Sequence, residues 1–259
     1  MNIKNLKLPR NNLGNKGVSY IFSSENLRHI RKIDLSSNNI DSEGAQYIAY
    51  NNVLPYLEVL DLRVNRIGDS GFRVLVKTDK LREIRDLRLD LNKISQGGAV
   101  QLSHQCDLPS LLKFKVRDND FGELGARFVA TTYAMRNLIH LNLSRNEIGD
   151  KGVIHLADAS YMCNLEYLLL DDNNLGSAAA QYISYSKFIT KLKTLTLNNN
   201  RIGNEGFRYI LESENFGDLK KLMVKYNEIS DIMSFTVSKF CNNLEHFDIQ
   251  ENEIGDVGA

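Results

Sequence analysis

Asparagine returns at a fixed count along this chain: Asn11, Asn38, Asn65, Asn92, Asn119, Asn146, Asn173, Asn200 and Asn227 follow one another at 27 residues, and Asn252 comes after a step of 25. Each closes the same phrase, with apolar residues eight, five and three positions before it and another two after, as in Leu57, Leu60, Leu62, Asn65 and Ile67. Self-similarity at a short fixed period marks an array in which each unit buries its apolar face against the next. A chain of 259 residues would otherwise be expected to form one or two globular domains. The expectation here is one elongated domain, residues 1–259, built of ten repeats.

Counting from each asparagine, positions −5 to −3 alternate apolar and polar, which predicts a short strand with its leucines inward and the side chains between them outward. The asparagine turns the chain, where a side chain that both donates and accepts can serve the adjoining backbone. At +4 stand Asn15, Ser42, Asp69, Asp150, Ser177, Asn204 and Asp231, read as helix N-caps. Apolar residues at +7, +10 and often +11, such as Phe72, Leu75 and Val76, make one buried helical stripe. The glycine at +6 is expected to let the first helical turn approach the strand layer. Two repeats depart from it, with Ala179 in the seventh and Met233 in the ninth, where two residues are also missing before Leu244 and local repacking of the outer side is expected.

The phrase LxxLxLxxNxI, followed by turns such as "NRIGDSG", "NEIGDKG" and "NRIGNEG", resembles the leucine-rich repeat family, in particular its ribonuclease-inhibitor-like subclass. The resemblance covers the whole chain and implies an α/β solenoid: a right-handed superhelix, curved, with parallel strands on the concave wall and helices on the convex one. It implies an architecture and not a task. The chain begins almost on its first strand, at Ile3, Leu6 and Leu8, and stops at "IGDVGA". Both ends are therefore read as uncapped, with the expectation that the chain is part of a larger protein or that its ends pack on something else.

Formal charge is zero, 32 basic against 32 acidic residues, which argues against binding to nucleic acid or anionic membrane through a net field. No apolar run resembles a signal peptide or approaches the roughly 18 residues of a membrane span. Cys106, Cys163 and Cys241 are too few and scattered for a disulfide framework or a zinc site. Cys241, once the two residues missing from the ninth repeat are allowed for, falls on the apolar +16 slot and reads as a small core residue, and a reducing, cytoplasmic compartment is favoured. No catalytic constellation emerges. His140 and Ser144 are four residues apart in one strand, about 13 Å when extended, too far for a base and a nucleophile. His29, His104, His155 and His246 fall in different parts of different repeats, and there is no GxxxxGK[ST] loop or HExxH. The expectation is a protein that is not an enzyme and holds no cofactor, metal or small-molecule substrate.

Stacked strands align equivalent positions about 4.8 Å apart, so outward residues form ladders that can be read across repeats. In the middle of the array Arg63, Arg88, Lys113, Lys115 and Arg117 converge, and Arg88 and Lys115 are like-charged neighbours one strand apart. Three readings stand: a solvated mosaic partly neutralised by Asp61, Asp90 and Asp118, a surface for an acidic partner, or a site for phosphate or nucleic acid. Toward the C-terminal half the wall turns apolar, with Tyr167, Leu169, Thr196, Met223 and Tyr226 expected to lie near one another and face outward. Such residues mark protein contacts, although cross-strand packing alone would also place them there.

Ribonuclease inhibitor and the repeat arrays of Nod-like receptors bind proteins on the concave wall, so the resemblance implies an unidentified protein partner for a monomeric array. With 28 asparagines and no tryptophan, the composition looks like an AT-rich coding genome and is similar to that of leucine-rich repeat effectors delivered by intracellular bacteria. The sharper expectation is thus an effector acting on host proteins in host cytosol. Ran GTPase-activating proteins resemble the same subclass, and a purely architectural scaffold is the third reading.

Overall fold

A computed structural model of the chain describes residues 3–103, 106–230 and 241–255. Each repeat contributes one three-residue strand: β1 (Asn5–Lys7), β2 (Lys32–Asp34), β3 (Val59–Asp61), β4 (Asp86–Arg88), β5 (Lys113–Lys115), β6 (His140–Asn142), β7 (Tyr167–Leu169), β8 (Thr194–Thr196), β9 (Lys221–Met223) and β10 (His246–Asp248). They form one open parallel sheet in chain order, and equivalent residues pair directly, Leu60 with Leu87 and Leu87 with Phe114. The leucine at the centre of the strand fixes this register, because a slip of one residue would turn the buried side chain to the outer face. The strands run from −6 to −4, one position earlier than the alternation indicates. Pairing continues past them, with Leu62 N–H donating to the Arg88 carbonyl at 2.9 Å and Val64 N–H to that of Asp90 at 2.8 Å.

Between the strands run α1 (Gly14–Phe22), α2 (Ser42–Tyr50), α3 (Gly68–Lys77), α4 (Gln96–Ala99), α5 (Gly122–Thr131), α6 (Gly149–Ala157), α7 (Ser177–Ser184) and α8 (Gly203–Leu211). Asp231, Met233 and the outer side of the ninth repeat lie outside the described residues, as does His104. Helices about 10 Å across, stacked behind strands about 4.8 Å apart, bend the array with the strands inside. A single apolar core runs from Val18 to Cys241 between the two layers, and it includes the mutually contacting rings of Phe72, Phe114 and Phe121. Cys241 is buried in it, as its slot predicts.

The repeated asparagines join the repeats. Asn65 Oδ1 accepts from Asn38 N–H at 3.0 Å and Ile40 N–H at 2.9 Å, while its amide nitrogen donates to the Leu35 carbonyl at 3.1 Å and the Leu62 carbonyl at 2.9 Å. The backbone at this corner belongs to neither strand nor helix, and each buried amide satisfies groups that burial would otherwise strand at a cost of about 1–3 kcal/mol each. On the other side of the core, hydroxyls at +13 reach back to the preceding helix, as Thr78 does to the Ala49 carbonyl at 2.6 Å and Ser213 to that of Ser184 at 2.7 Å.

The helix starts differ from the sequence reading. The cap, where a side chain provides one, is the +3 residue: Asp41 accepts from Glu43 N–H, and Ser95 from Gly97 N–H. The +4 residue caps the next repeat instead. Asn15 accepts from Asp41 N–H at 3.1 Å, Asp69 from Ser95 N–H at 2.7 Å, Asp150 from Gly176 N–H at 2.7 Å and Asn204 from Ser230 N–H at 2.8 Å. Two kinds of turn result. In one, a +3 glycine with positive φ (Gly14, Gly68, Gly122, Gly149, Gly203) enters the helix directly. In the other, seen with Asp41, Ser95 and Gly176, the +3 residue is extended and receives the preceding +4 side chain.

The +6 glycine also serves a different contact from the one expected. A Cβ on Gly71 would stand 2.8 Å from Ile67 Cγ2, 3.0 Å from Ala45 Cβ and 3.1 Å from the Ser42 backbone. The glycine makes room first for the +2 side chain of its own repeat and, at Gly71, Gly152 and Gly206, also for the preceding helix.

Candidate partner-binding wall

The −4 and −2 residues of the strand wall divide into those the fold uses and those it leaves over. Just past seven of the ten strands, the −2 N–H is met by a side chain. Ser36, Arg63, Ser144 and Gln250 donate to Asp34, Asp61, Asn142 and Asp248 of their own repeats. Arg117, Asn198 and Lys225 donate to Asp90, Asp171 and Asn198 of the repeat before. The acids of the wall are thus largely backbone acceptors, and this engagement decides how much of the basic ladder they can neutralise.

Arg63 is held by Asp61 through its Nε and Nη2, the latter at 2.7 Å, and Arg88 is held by Asp86 at 2.7 Å with a longer contact to Asp61 at 3.4 Å. Asp61 has only 3% of its side chain exposed. These bonds hold both guanidinium groups above their usual range, with the Asp61 bond the leading cause for Arg63 and the Asp86 bond for Arg88. Asp90 is pushed up, first by burial, and spends one oxygen on Arg117 N–H at 2.7 Å. Asp118 lies 3.2 Å from Arg145 and 3.8 Å from Arg117. Asp61 and Asp118 therefore pair with arginines while Asp90 is chiefly a backbone acceptor, so the partial neutralisation expected of these three acids falls on the arginines more than on the lysines. Among the described residues Lys113 and Lys115 form no ion pair.

Register places Lys115 directly beside Arg88, and Lys113 between Asp86 and His140. Burial is the main cause that lowers the Lys115 ammonium, with Arg88 and Lys113 adding to it and Asp86 opposing. His140 stacks on Tyr167, with ring centroids 5.5 Å apart. Burial, then Lys115 and Lys113, push its pKa down to about 4, so at neutral pH it presents an uncharged imidazole beside two lysines. The 27-residue step alone sets His140 between Lys113 and Tyr167; what the sequence did not disclose is how far this column is covered.

Leu169, Thr196 and Met223 stand in one rung order, Leu169 beside Thr196 and Thr196 beside Met223. Leu169 and Met223 are partly exposed and Tyr167 is 37% exposed. Thr196 is only 7% exposed, and its hydroxyl donates to Asp171 Oδ2 at 2.9 Å. The outward-facing expectation fails for Thr196 because Asp171 draws it into the wall. Tyr226 belongs to another surface. It follows the strand with φ of 52° and lines a depression at the loop edge with Asp172, Arg201, Glu228, Glu251 and Glu253, which Tyr167, Leu169 and Met223 do not line.

The sequence pattern that describes the Leucine Rich repeat matches residues 26–49, 53–76, 134–157, 189–211 and 240–259, five of the ten units that the sheet displays. The chain is a leucine-rich repeat protein. This leucine-rich repeat array is similar to a solved internalin (inlF) of Listeria monocytogenes, at 19% identity over 93% of the chain with a TM-score of 0.54, and it spans 64% of that internalin's length. Internalin C2 of the same organism is similar at 20% identity over 92% of both chains, with a TM-score of 0.59. A chain of the yeast Rad7 and Elc1 complex is similar at 12% identity over the full array and 79% of its own length, with a TM-score of 0.57. At such identities the likeness is one of fold. No curated protein matches the array in sequence.

Proposed function

We propose that this array is a protein-binding module whose partner lies along the strand wall, and that it performs no reaction of its own. The observation that carries this reading is the set of wall side chains for which the fold has little use: Lys113 and Lys115, which form no ion pair among the described residues, and Tyr167, Leu169 and Met223, partly exposed between rungs that are otherwise engaged. On a sheet face tyrosine supplies apolar contact area at small entropic cost, methionine adapts its shape to a partner, and cations at the margin supply orientation. A neighbour in fold, from the Rad7 and Elc1 complex, is itself part of a two-protein assembly. The ribonuclease-inhibitor-like subclass is supported by the 27-residue step and the helix in each of the first eight repeats. The finer role of a bacterial effector in host cytosol is supported by the asparagine-rich, tryptophan-free composition. A GTPase-activating role would require an arginine free to reach a nucleotide; Arg63 and Arg88 of the wall are each clamped by carboxylates, so an edge arginine would have to serve.

Affinity capture from eukaryotic cytosol tests the proposal, with the native chain, Leu169→Asp/Met223→Asp on the wall and Arg73→Glu/Lys77→Glu on α3 as baits, each shown by circular dichroism to be folded. A partner kept by the native and α3 baits and lost by the wall bait is the expected result. Loss only from the α3 bait would move the function to the helical side.

A further inference from the structure

We propose that the β5 column of Lys113, Lys115 and, just beyond the strand, Arg117 is the seat of an acidic protein segment, whose carboxylates meet these cations between Arg88 on one flank and His140 on the other. This rests on reading the wall as the partner surface and names the chemistry that such a partner brings.

Positions two apart on an extended chain face the same way, so the three cations stand in one row about 13 Å long. An extended acidic segment repeats its side chains on one face at the same interval of about 7 Å, which matches the row residue for residue. The acids around the row compensate it only in part. Asp61 and Asp86 hold Arg63 and Arg88, Asp90 takes the Arg117 N–H, and Asp118 lies 3.2 Å from Arg145 and 3.8 Å from Arg117, while among the described residues Lys113 and Lys115 form no ion pair. On the other flank the wall offers His140, Asn142 and Ser144, and the Asn142 side-chain oxygen already accepts from Ser144 N–H at 3.0 Å. Arg88 and Lys115, in direct register, are like charges whose opposition is unfavourable until an anion lies between or above them. Lys115 is half-covered, so its ammonium has lost hydration that a carboxylate would replace with a charge-assisted bond.

A carboxylate source suits the row better than a phosphate backbone does. The chain as a whole carries no net charge, and Asp61, Asp86 and Asp90 stand beside the cations, whereas nucleic acid is drawn by a broad positive field. Further along the same wall come Leu169 and Met223, apolar rungs that a protein can cover and a polyanion cannot. The seat is therefore the charged end of a mixed surface, fitted to a partner with acidic residues followed by apolar ones.

The test is fluorescence anisotropy with fluorescein-labelled octaglutamate, beside labelled octalysine and a short single-stranded DNA of the same label. Lys113→Gln/Lys115→Gln is compared with the native chain and with Arg73→Gln/Lys77→Gln, which removes the same charge from α3. The expected result is octaglutamate binding that weakens with salt, falls about tenfold in the wall variant and is unchanged in the α3 variant. No octaglutamate binding, an equal loss in the α3 variant, or DNA bound more tightly than octaglutamate and released by the wall variant would overturn the proposal. The two readings separate cleanly. A captured partner lost by Leu169→Asp/Met223→Asp but kept by Lys113→Gln/Lys115→Gln leaves the wall as the partner surface and sinks the acidic segment.

Discussion

Asn146 N–H donates to Asn173 Oδ1 at 3.0 Å, joining two residues 27 apart in the chain. The same Asn173 side chain accepts from Ile148 N–H at 3.2 Å and donates to the carbonyls of Leu143 at 2.9 Å and Asp171 at 3.2 Å. Replacing it with alanine leaves buried backbone groups of the sixth repeat unmatched. Asn173→Ala is expected to cost about 3 kcal/mol, measured from the urea midpoint. Asn173→Asp should cost nearly as much, because a carboxylate cannot donate to the Leu143 carbonyl; a carboxylate variant as stable as the native chain would show that the donor half of the amide is dispensable.

Two glycines of one turn should respond for different reasons. Gly149 has φ of 62° with open space around its absent Cβ, so Gly149→Ala meets only the left-handed backbone penalty, about 1 kcal/mol. Gly152 would place a Cβ 2.5 Å from Ile148 Cγ2 and 3.1 Å from Ala126 Cβ, and Gly152→Ala should cost about 2 kcal/mol by displacing the buried Ile148 side chain and pressing on α5. Thermal midpoints of the two variants in parallel check the order; the reverse order would mean that the helices part more readily than their packing implies.

His140 supplies a pH dependence whose sign follows from its environment. Its folded pKa of about 4 lies below the ordinary 6.5, so the unfolded chain takes up the proton first. Stability is unaffected by this group above 6.5 and is lost as pH falls from there through about 4. The charged groups that face it are Lys113, Lys115, Asp86 and Arg88, with the Tyr167 ring stacked beside it. Urea midpoints between pH 7 and pH 4 should fall less steeply in His140→Asn than in the native chain. Identical slopes would show that the imidazole titrates normally.

Neutralising Lys115 should stabilise the free array. Its ammonium is partly desolvated and stands beside Arg88; because it is half-exposed, the gain from Lys115→Gln is discounted to roughly 0.5 kcal/mol. The gain should shrink as salt screens the native repulsion. A loss of stability in Lys115→Gln would mean that Asp86 and Asp90 already compensate the lysine.

The solenoid, its register and its buried stripe were legible because each follows from a period: 27 residues for the repeat, two for the strand, and 3.6 for the helix. The direct pairing of Arg88 with Lys115 was legible for the same reason. What remained hidden depends on which backbone N–H each short polar side chain happens to meet. Asp69 reads as a local helix cap and instead serves Ser95 in the next repeat. Asp90 reads as a counter-ion and is largely an acceptor for Arg117 N–H. Thr196 sits in an outward column but folds back to Asp171, and Tyr226 leaves the wall because the chain has already turned. Sequence spacing assigns a residue to a column; hydrogen bonding then decides whether the fold uses it.

The two kinds of turn alternate through the first four repeats and again from the sixth to the ninth, and two glycine turns, at Gly122 and Gly149, meet between the fifth and sixth. Neighbouring repeats are therefore mostly donors and receivers to one another, like plug and socket, and are not interchangeable copies. An excision that takes out Gly68 and Ser95 together returns Asp41 to a glycine-turn neighbour, whereas excising either alone sets like against like. For anyone shortening or lengthening this array, the natural module is the couple.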